Sequence, residues 1–406
     1  MVKKMRILLT NISLIHPGGT ELYTLDLAKY LSKIGHEITV FSPSLGPISE
    51  EIKKLKNVTA TNNLEEIKNV KFDILHIHHN VNAYLVREYF PKVPALMVIH
   101  GVLPEFEQPP EMNLGISRYI AVSEEVKEYL IKNYNIPESK IEIIYNWVNT
   151  NKFKKKTDIN KVPKKMLVVS NHYLGEHKEI YEAVCKKRGI ELLHVGLPEN
   201  SVTNVEDYMN DNDIVITLGR GAMEAMSLGR NVIISDIHGM DGMLTPEIYF
   251  ESIKSNLSGR RFAKKLTVEN FEKELDKYSI SNGSEMQKIA RKYHNREKNI
   301  KNILKQYEGI LSSKVSIDKN FKKIMVELKV LSRASGLRES HIYNLELTKK
   351  NLEDSSLKNV KALKIANEKH SEELMEKTSE LNLYKNSKIF KLANIWWNIR
   401  NKILRR

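Results

Sequence analysis

Residues 217–229, Thr-Leu-Gly-Arg-Gly-Ala-Met-Glu-Ala-Met-Ser-Leu-Gly, combine the residue types best suited to holding a charged ligand. The apolar run Ile214, Val215, Ile216 reads as a buried strand, and Met223, Met226 and Leu228 follow at helical spacing. Gly219 and Gly221 lack a Cβ, so the turn between them can approach a ligand closely while amides at the helix start point toward it, as in anion sites. Arg220 adds a permanent positive charge with a planar fork suited to phosphate. Glu224, one turn further on, would be repelled by phosphate, and its expected partner is a neutral hydroxyl of a ribose or a sugar. The same residues also fit a plain glycine-bounded turn with a surface glutamate, because Gly-x-Gly alone is a weak signal. A second glycine turn, with Gly18 and Gly19, follows His16 and Pro17. Four histidines, His76, His78, His79 and His100, cluster at the ends of two strands. Metal binding would need a defined ligand set, whereas His76 and His78 merely alternate along a strand. His100, just before Gly101, reads instead as facing a sugar or phosphate.

These residues need a scaffold of strands feeding turns. Residues 6–15 predict a strand, followed by a helix carrying Leu22, Leu25, Leu27, Ala28 and Leu31. Further strands are expected at 37–41, 74–77, 95–99, 118–124 and 141–145, with Ser123 capping a helix over 124–133. Basic, polar residues 152–165, with Pro163, mark a linker. A second series follows: strands at 166–170, 191–195, 214–216 and 232–235, a helix near 177–187, and a closing helix over 284–312. Alternation of strand and helix implies an α/β fold of two doubly wound, Rossmann-like parallel sheets with ligands at the strand C-terminal ends. The expected domains are 1–160, 161–312, a coiled coil over 313–385 and a basic amphipathic helix over 386–406.

The coiled coil rests on Ile317, Phe321, Ile324, Leu328 and Leu331 at steps of four and three, resuming at Ile342 after Ser335 and Gly336. It implies a partner chain, a homo-oligomer being one form; a hairpin folded on itself is the alternative. Residues 386–406 hold Lys388, Lys391, Arg400, Lys402, Arg405 and Arg406 and no acidic residue. Ile389, Leu392, Ile395, Trp396, Ile399 and Ile403 line one helical face. A basic helix with aromatic anchors suits an anionic membrane surface, and packing against a protein is the alternative.

The 406 residues carry a net charge of +14, which points to an anionic partner. An apolar face with two tryptophans is more than phosphate contact needs, which argues against nucleic acid. A single cysteine, Cys185, excludes an intrachain disulfide framework and fits a reducing, cytoplasmic setting. Residues 1–15 read as a first strand rather than a secretory leader. No uncharged apolar run is long enough to span a bilayer. The expected location is the cytoplasm, peripheral on the inner face of the membrane.

Over residues 5–312 the chain resembles glycosyltransferases of the GT-B fold, in particular the retaining family 4. The resemblance rests on residues 16–21 (His-Pro-Gly-Gly-Thr-Glu), 72–78 (Phe-Asp-Ile-Leu-His-Ile-His), 120–123 (Ile-Ala-Val-Ser), 146–153 (Asn-Trp-Val-Asn-Thr-Asn-Lys-Phe) and, most strongly, 213–229. It implies transfer of a sugar from a nucleotide-diphosphate donor with retention, without a metal or other cofactor. Glu224 would hold the ribose hydroxyls, and Gly219 and Gly221 the donor's phosphate or sugar. Gly18 and Gly19 would lie beside the diphosphate and acceptor, and His100 would face the donor sugar. The family usually carries a glutamate eight positions before the one matched by Glu224, where this chain has Ile216. The family's arginine near the start of the second domain has no counterpart in residues 170–178, so Lys178 and Arg220 are assigned to the leaving diphosphate, with His172 a weaker choice. The tail points to a lipid-linked or surface-polysaccharide acceptor. A nucleotide-sugar epimerase and a non-enzymatic, degenerate sugar-binding scaffold are the competing readings.

Overall fold

Apolar runs too short for helices, most of them flanked by a helical segment, build two large sheets, beside a small pair formed by Ser13–Leu14 and Ser44–Leu45, in this computed structural model. It describes residues 4–326, apart from 198, 199, 201, 203 and 238, together with residues 369–380. The chain divides into two units at Gly336 and Leu337; of the second unit only 369–380 are described, as helix.

The first sheet has seven parallel strands: β1 (Arg6–Thr10), β2 (Glu37–Phe41), β3 (Val58–Thr61), β4 (Ile74–His78), β5 (Ala95–Ile99), β6 (Ile116–Ala121) and β7 (Ile141–Ile143). Their order is β3-β2-β1-β4-β5-β6-β7, so the direction of winding reverses between β1 and β4. In open sheets that reversal leaves a crevice beyond the strand ends where ligands bind. Helix α1 (Gly19–Lys33) starts beside it, and α2 (Asn80–Tyr89) and α3 (Glu124–Tyr134) follow β4 and β6. Ser123 caps α3 by accepting from the Val126 amide.

The second sheet, in the order β9-β8-β10-β11-β12, comprises β8 (Lys165–Val169), β9 (Glu191–Val195), β10 (Ile214–Thr217), β11 (Asn231–Asp236) and β12 (Gly239–Met243). All neighbours are parallel except β11 and β12. Alternating residues of one strand feed two cores. Leu167 and Val215 pack with Met223 and Met226 of α5 (Gly219–Ser227), whereas Met166, Ile214 and Ile216 pack with Tyr181 and Val184 of α4 (Gly175–Arg188). The two-residue period of a strand thus sets both faces of the sheet.

The closing helix expected over 284–312 is two helices, α6 (Ile280–Tyr293) and α7 (Arg296–Ile310). Asn295 caps α7 by accepting from the Lys298 amide, and the His294 ring bonds the Asn146 carbonyl and the Tyr249 hydroxyl. Those side-chain bonds stop one helix and start the next. Helix α7 then returns to the first domain, where Ile300, Ile303, Leu304, Tyr307 and Ile310 join its core. Phe321 and Met325 are buried in that core too, so the first turns of the expected coiled coil cover the first domain instead. The later seam, from Leu328 to residue 368, and the basic helix 386–406 lie outside the described residues. Among the described residues no helix is long and apolar enough to cross a membrane.

Among the described residues, each domain also buries an arginine, Arg87 or Arg230, that has no carboxylate within ion-pair distance. Arg87 donates to the carbonyls of Phe90, Val93, Leu114 and Gly115, and Arg230 to those of Thr157, Asn210, Asn212 and Leu228. Loops that could not pair their own carbonyls are held by one planar fork. Arg87→Met should therefore lower the unfolding free energy by about 3 kcal/mol. Denaturant unfolding with an unchanged midpoint would show that those carbonyls find other donors.

Candidate functional site

A cleft of about 250 Å³ lies between the two domains, lined by Gly19, Thr20, Tyr23, His100, Glu107, Asn146, Trp147, Arg220 and Asn256. Each wall comes from an element end. Gly19 and Thr20 open α1, His100 follows β5, and Arg220 stands in the first turn of α5. Asn146 and Asn256 bridge the domains through a 3.2 Å side-chain bond.

The turn before α5 is tighter than a glycine loop. Strand β10 ends at Thr217 and α5 begins at Gly219, leaving only Leu218 between. Gly219 has φ +48°, and a Cβ on Gly221 would stand 2.5 Å from Thr217 Oγ1, so a side chain would be strained at the first position and crowded at the second. The Gly219 amide donates to the Leu257 carbonyl at 3.0 Å and is not open to a ligand. Ile216 is buried in the sheet, so this short turn has no loop on which an upstream carboxylate could stand.

Arg220 lines the cleft, but its charge is already shared. Its Nη2 donates to Asp26 Oδ2 at 2.6 Å and its Nε to Glu224 Oε1 at 2.8 Å, while Arg296 stands 4.0 Å from the other Asp26 oxygen. Burial alone would lower the Arg220 pKa; Glu224 and Asp26 outweigh it and hold the guanidinium charged. Burial raises the Glu224 carboxyl, and Arg220 offsets part of that rise. Within the protein, the partner of Glu224 Oε1 is Arg220. What Arg220 keeps for a ligand is Nη1, which has no partner among the described residues.

Gly19 has open space where a Cβ would stand, whereas a Cβ on Gly18 would meet Glu21 Oε2. Lys178 is not among the lining residues. Its ammonium sits 5.6 Å from the centre of the Tyr173 ring and 3.9 Å from Glu182. His172 pairs with Asp236 at 3.1 Å.

The histidines form a chain of hydrogen bonds. Tyr307 bonds His76 Nδ1 at 2.6 Å, His76 Nε2 faces His78 Nε2 at 3.0 Å, and His78 Nδ1 faces His100 Nε2 at 2.9 Å. His79 stands apart, at φ +68° and accepting from the Ile12 amide. Burial depresses His76 and His100 to about 3 and His79 to about 4, and it lowers His78 as well. All four are therefore neutral at physiological pH.

Several lining residues escaped the reading of the sequence. Tyr23 is one helical turn past Gly19 and packs against Trp147, with ring centres 4.1 Å apart and planes tilted by 38°. Its position on the face of Gly19 was the available signal. Trp147 Nε1 is buried without a partner among the described residues. Glu107 ends a single 3-10 turn (Glu105–Glu107) and Asn256 follows another (Ile253–Ser255), segments too short to show periodicity. Burial, and then the nearby Glu21, pushes the Glu107 carboxyl up to about 7.

Residues 17–152 match the model of a family described as Glycosyltransferase Family 4. No curated protein sequence matches the chain. A glycosyltransferase from Rickettsia africae ESF-5 superposes with a TM-score of 0.55 at 18% identity, over 76% of this chain and 99% of that one. The S. aureus MnaA–UDP structure gives 0.46 at 16% identity, over 77% of this chain and 100% of its own. The calicheamicin glycosyltransferase CalG4 gives 0.47 at 12%, over 76% and 100%. The chain thus has the α/β, Rossmann-like GT-B fold, and its first domain is similar to glycosyltransferase family 4.

Histidines buried neutral destabilise the fold in acid, because the unfolded chain accepts protons that the folded one refuses. Stability should be fully present above about pH 6.5 and fall as pH drops below it, by up to about 1.4 kcal/mol per pH unit for each such histidine. Thermal unfolding between pH 8 and pH 4.5 checks this; a midpoint constant down to pH 5 would mean that the rings are accessible.

Proposed function

We propose that this chain is a glycosyltransferase that moves a sugar from a nucleotide-diphosphate donor to an acceptor, with retention at the anomeric carbon and without a metal. The observation carrying the reading is the convergence of Gly19, His100 and Arg220 on one cleft between two Rossmann-like domains, where the strand ends of both sheets meet. Cleaving a sugar–phosphate bond leaves negative charge on the diphosphate, and fixed cations and donors stabilise that charge. Arg220 Nη1 supplies them from one wall, and the start of α1 at Gly19 from the other. Glu224 serves by holding Arg220 in place. Lys178, turned toward Tyr173, leaves most of this work to Arg220. His100 faces the donor sugar. No residue is assigned as a nucleophile.

The acceptor is proposed to be lipid-linked or a surface polysaccharide, with the basic, tryptophan-containing residues 386–406 lying on an anionic membrane. Vesicle flotation tests this part: a chain ending before Asn386 should stay at the bottom of the gradient, and continued flotation would place membrane binding elsewhere.

Purified protein should transfer or hydrolyse the sugar of a labelled nucleotide-sugar donor. His100→Ala and Arg220→Met should each reduce turnover by about a hundredfold. Turnover unaffected by both, with every donor tested, would exclude this cleft as the site. Nucleotide-sugar binding with no turnover would favour a scaffold role, for which the pairing of the charged Arg220 with two carboxylates is the motivating observation.

Glu107 adds a pH dependence. Its carboxyl is neutral below about 7 and ionised above, and an ionised carboxylate in this cleft repels a diphosphate. Donor affinity measured by calorimetry should weaken from pH 6 to pH 8, and Glu107→Gln should flatten that trend. An equal slope in both proteins would place Glu107 away from the ligand.

A further inference from the structure

The chain of rings behind the cleft has a direction. Tyr307 is fully buried, and its hydroxyl has one partner among the described residues, His76 Nδ1. A phenol in the interior must place its proton on an acceptor, because an unpaired buried donor costs about 1–3 kcal/mol. Tyr307 therefore donates, and His76 Nδ1 accepts. A neutral imidazole has one donor and one acceptor nitrogen, so the His76 proton sits on Nε2. That nitrogen faces His78 Nε2, which must accept, leaving the His78 proton on Nδ1. His78 Nδ1 in turn faces His100 Nε2, which accepts as well.

We propose that Tyr307, His76 and His78 are positioning residues that hold His100 as the tautomer protonated on Nδ1, so that the cleft meets a hydrogen-bond donor there and not a base. His100 Nδ1 has no partner among the described residues, and the ring lines the cleft. The ligand atom it suits is an oxygen with lone pairs, such as a sugar hydroxyl or a phosphate oxygen. Abstracting a proton from an acceptor hydroxyl through Nδ1 would require all three ring bonds to reverse and would strand the Tyr307 proton. His100 is thus matched to stabilising charge on a bound ligand and unsuited to deprotonating one. The orientation of each bond follows from the protein alone; its catalytic meaning rests on the transfer reading above.

The test is the ¹⁵N spectrum of histidine side chains in the full chain at pH 7.5, with the His100 resonances identified by their loss in His100→Gln. The expected pattern is a protonated Nδ1 on His100 and His78 and a protonated Nε2 on His76. A wild-type His100 protonated on Nε2 overturns the proposal whether or not any sugar is transferred. Tyr307→Phe keeps the ring volume and should convert His100 to a mixture of tautomers. It should also lower donor turnover by about tenfold with little change in KM. An unchanged His100 signal in a folded Tyr307→Phe protein would equally overturn it. An inactive wild type with the expected spectrum would count against the transfer reading only.

Discussion

The cleft depends on one half-buried guanidinium. Arg220 of the second domain donates to Asp26 of the first and to Glu224 of its own helix, and Arg296 flanks Asp26 from the returning helix α7. Removing charges from water costs several kcal/mol per ion, and only close geometry with satisfied hydrogen bonds repays it. The network sets two acids against two basic residues across three elements and both domains; Arg220 holds the close bonds, while Arg296 adds charge at 4.0 Å. It sets how the first turn of α5 stands toward the start of α1. A guanidinium already balanced by two carboxylates is a weaker attractor for a diphosphate than a free one, and the ligand is offered the remaining Nη1.

Behind the opposite wall the protein uses neutral groups. Burial keeps the histidine rings uncharged, and each then serves as one donor and one acceptor in a line ending at the cleft. Tyr307 anchors that line, and it comes from α7, the same helix that carries Arg296. The last helix of the Rossmann pair therefore supports both walls, one by charge and one by hydrogen bonding. Its return to the first domain is what makes this possible, and the side chains of Asn295 and His294 set the break that lets it return.

Much of the scaffold was legible in the chain. The strands at 37–41, 95–99 and 191–195 were expected with the bounds observed, and Ser123 was expected to cap α3, because short apolar runs and capping side chains are local signals. The glycine positions were legible for the same reason: Gly219 and Gly221 stand where the backbone has no room for a Cβ or takes a positive φ. The break in the closing helix was missed, since apolar spacing continues through it and the bonds that end α6 come from Asn146 and Tyr249. The heptad spacing around Phe321 was real, but an apolar stripe does not state what covers it.

By itself the sequence determined two α/β sheets, parallel but for the antiparallel edge strand β12, the glycine turns that open their helices, and the residue types gathered at the strand ends. Each is a property of neighbouring residues, through side-chain period, backbone freedom and capping. Tertiary structure alone decided which of those residues share a cleft and in what state. It brought Asp26 to Arg220 across 194 residues and Tyr307 to His76 across 231, thereby spending one cation and orienting one histidine. It left Lys178 against Tyr173, outside the lining of the cleft. Charge balance, tautomer and burial depend on what lies opposite a side chain, and that is fixed only when distant segments pack.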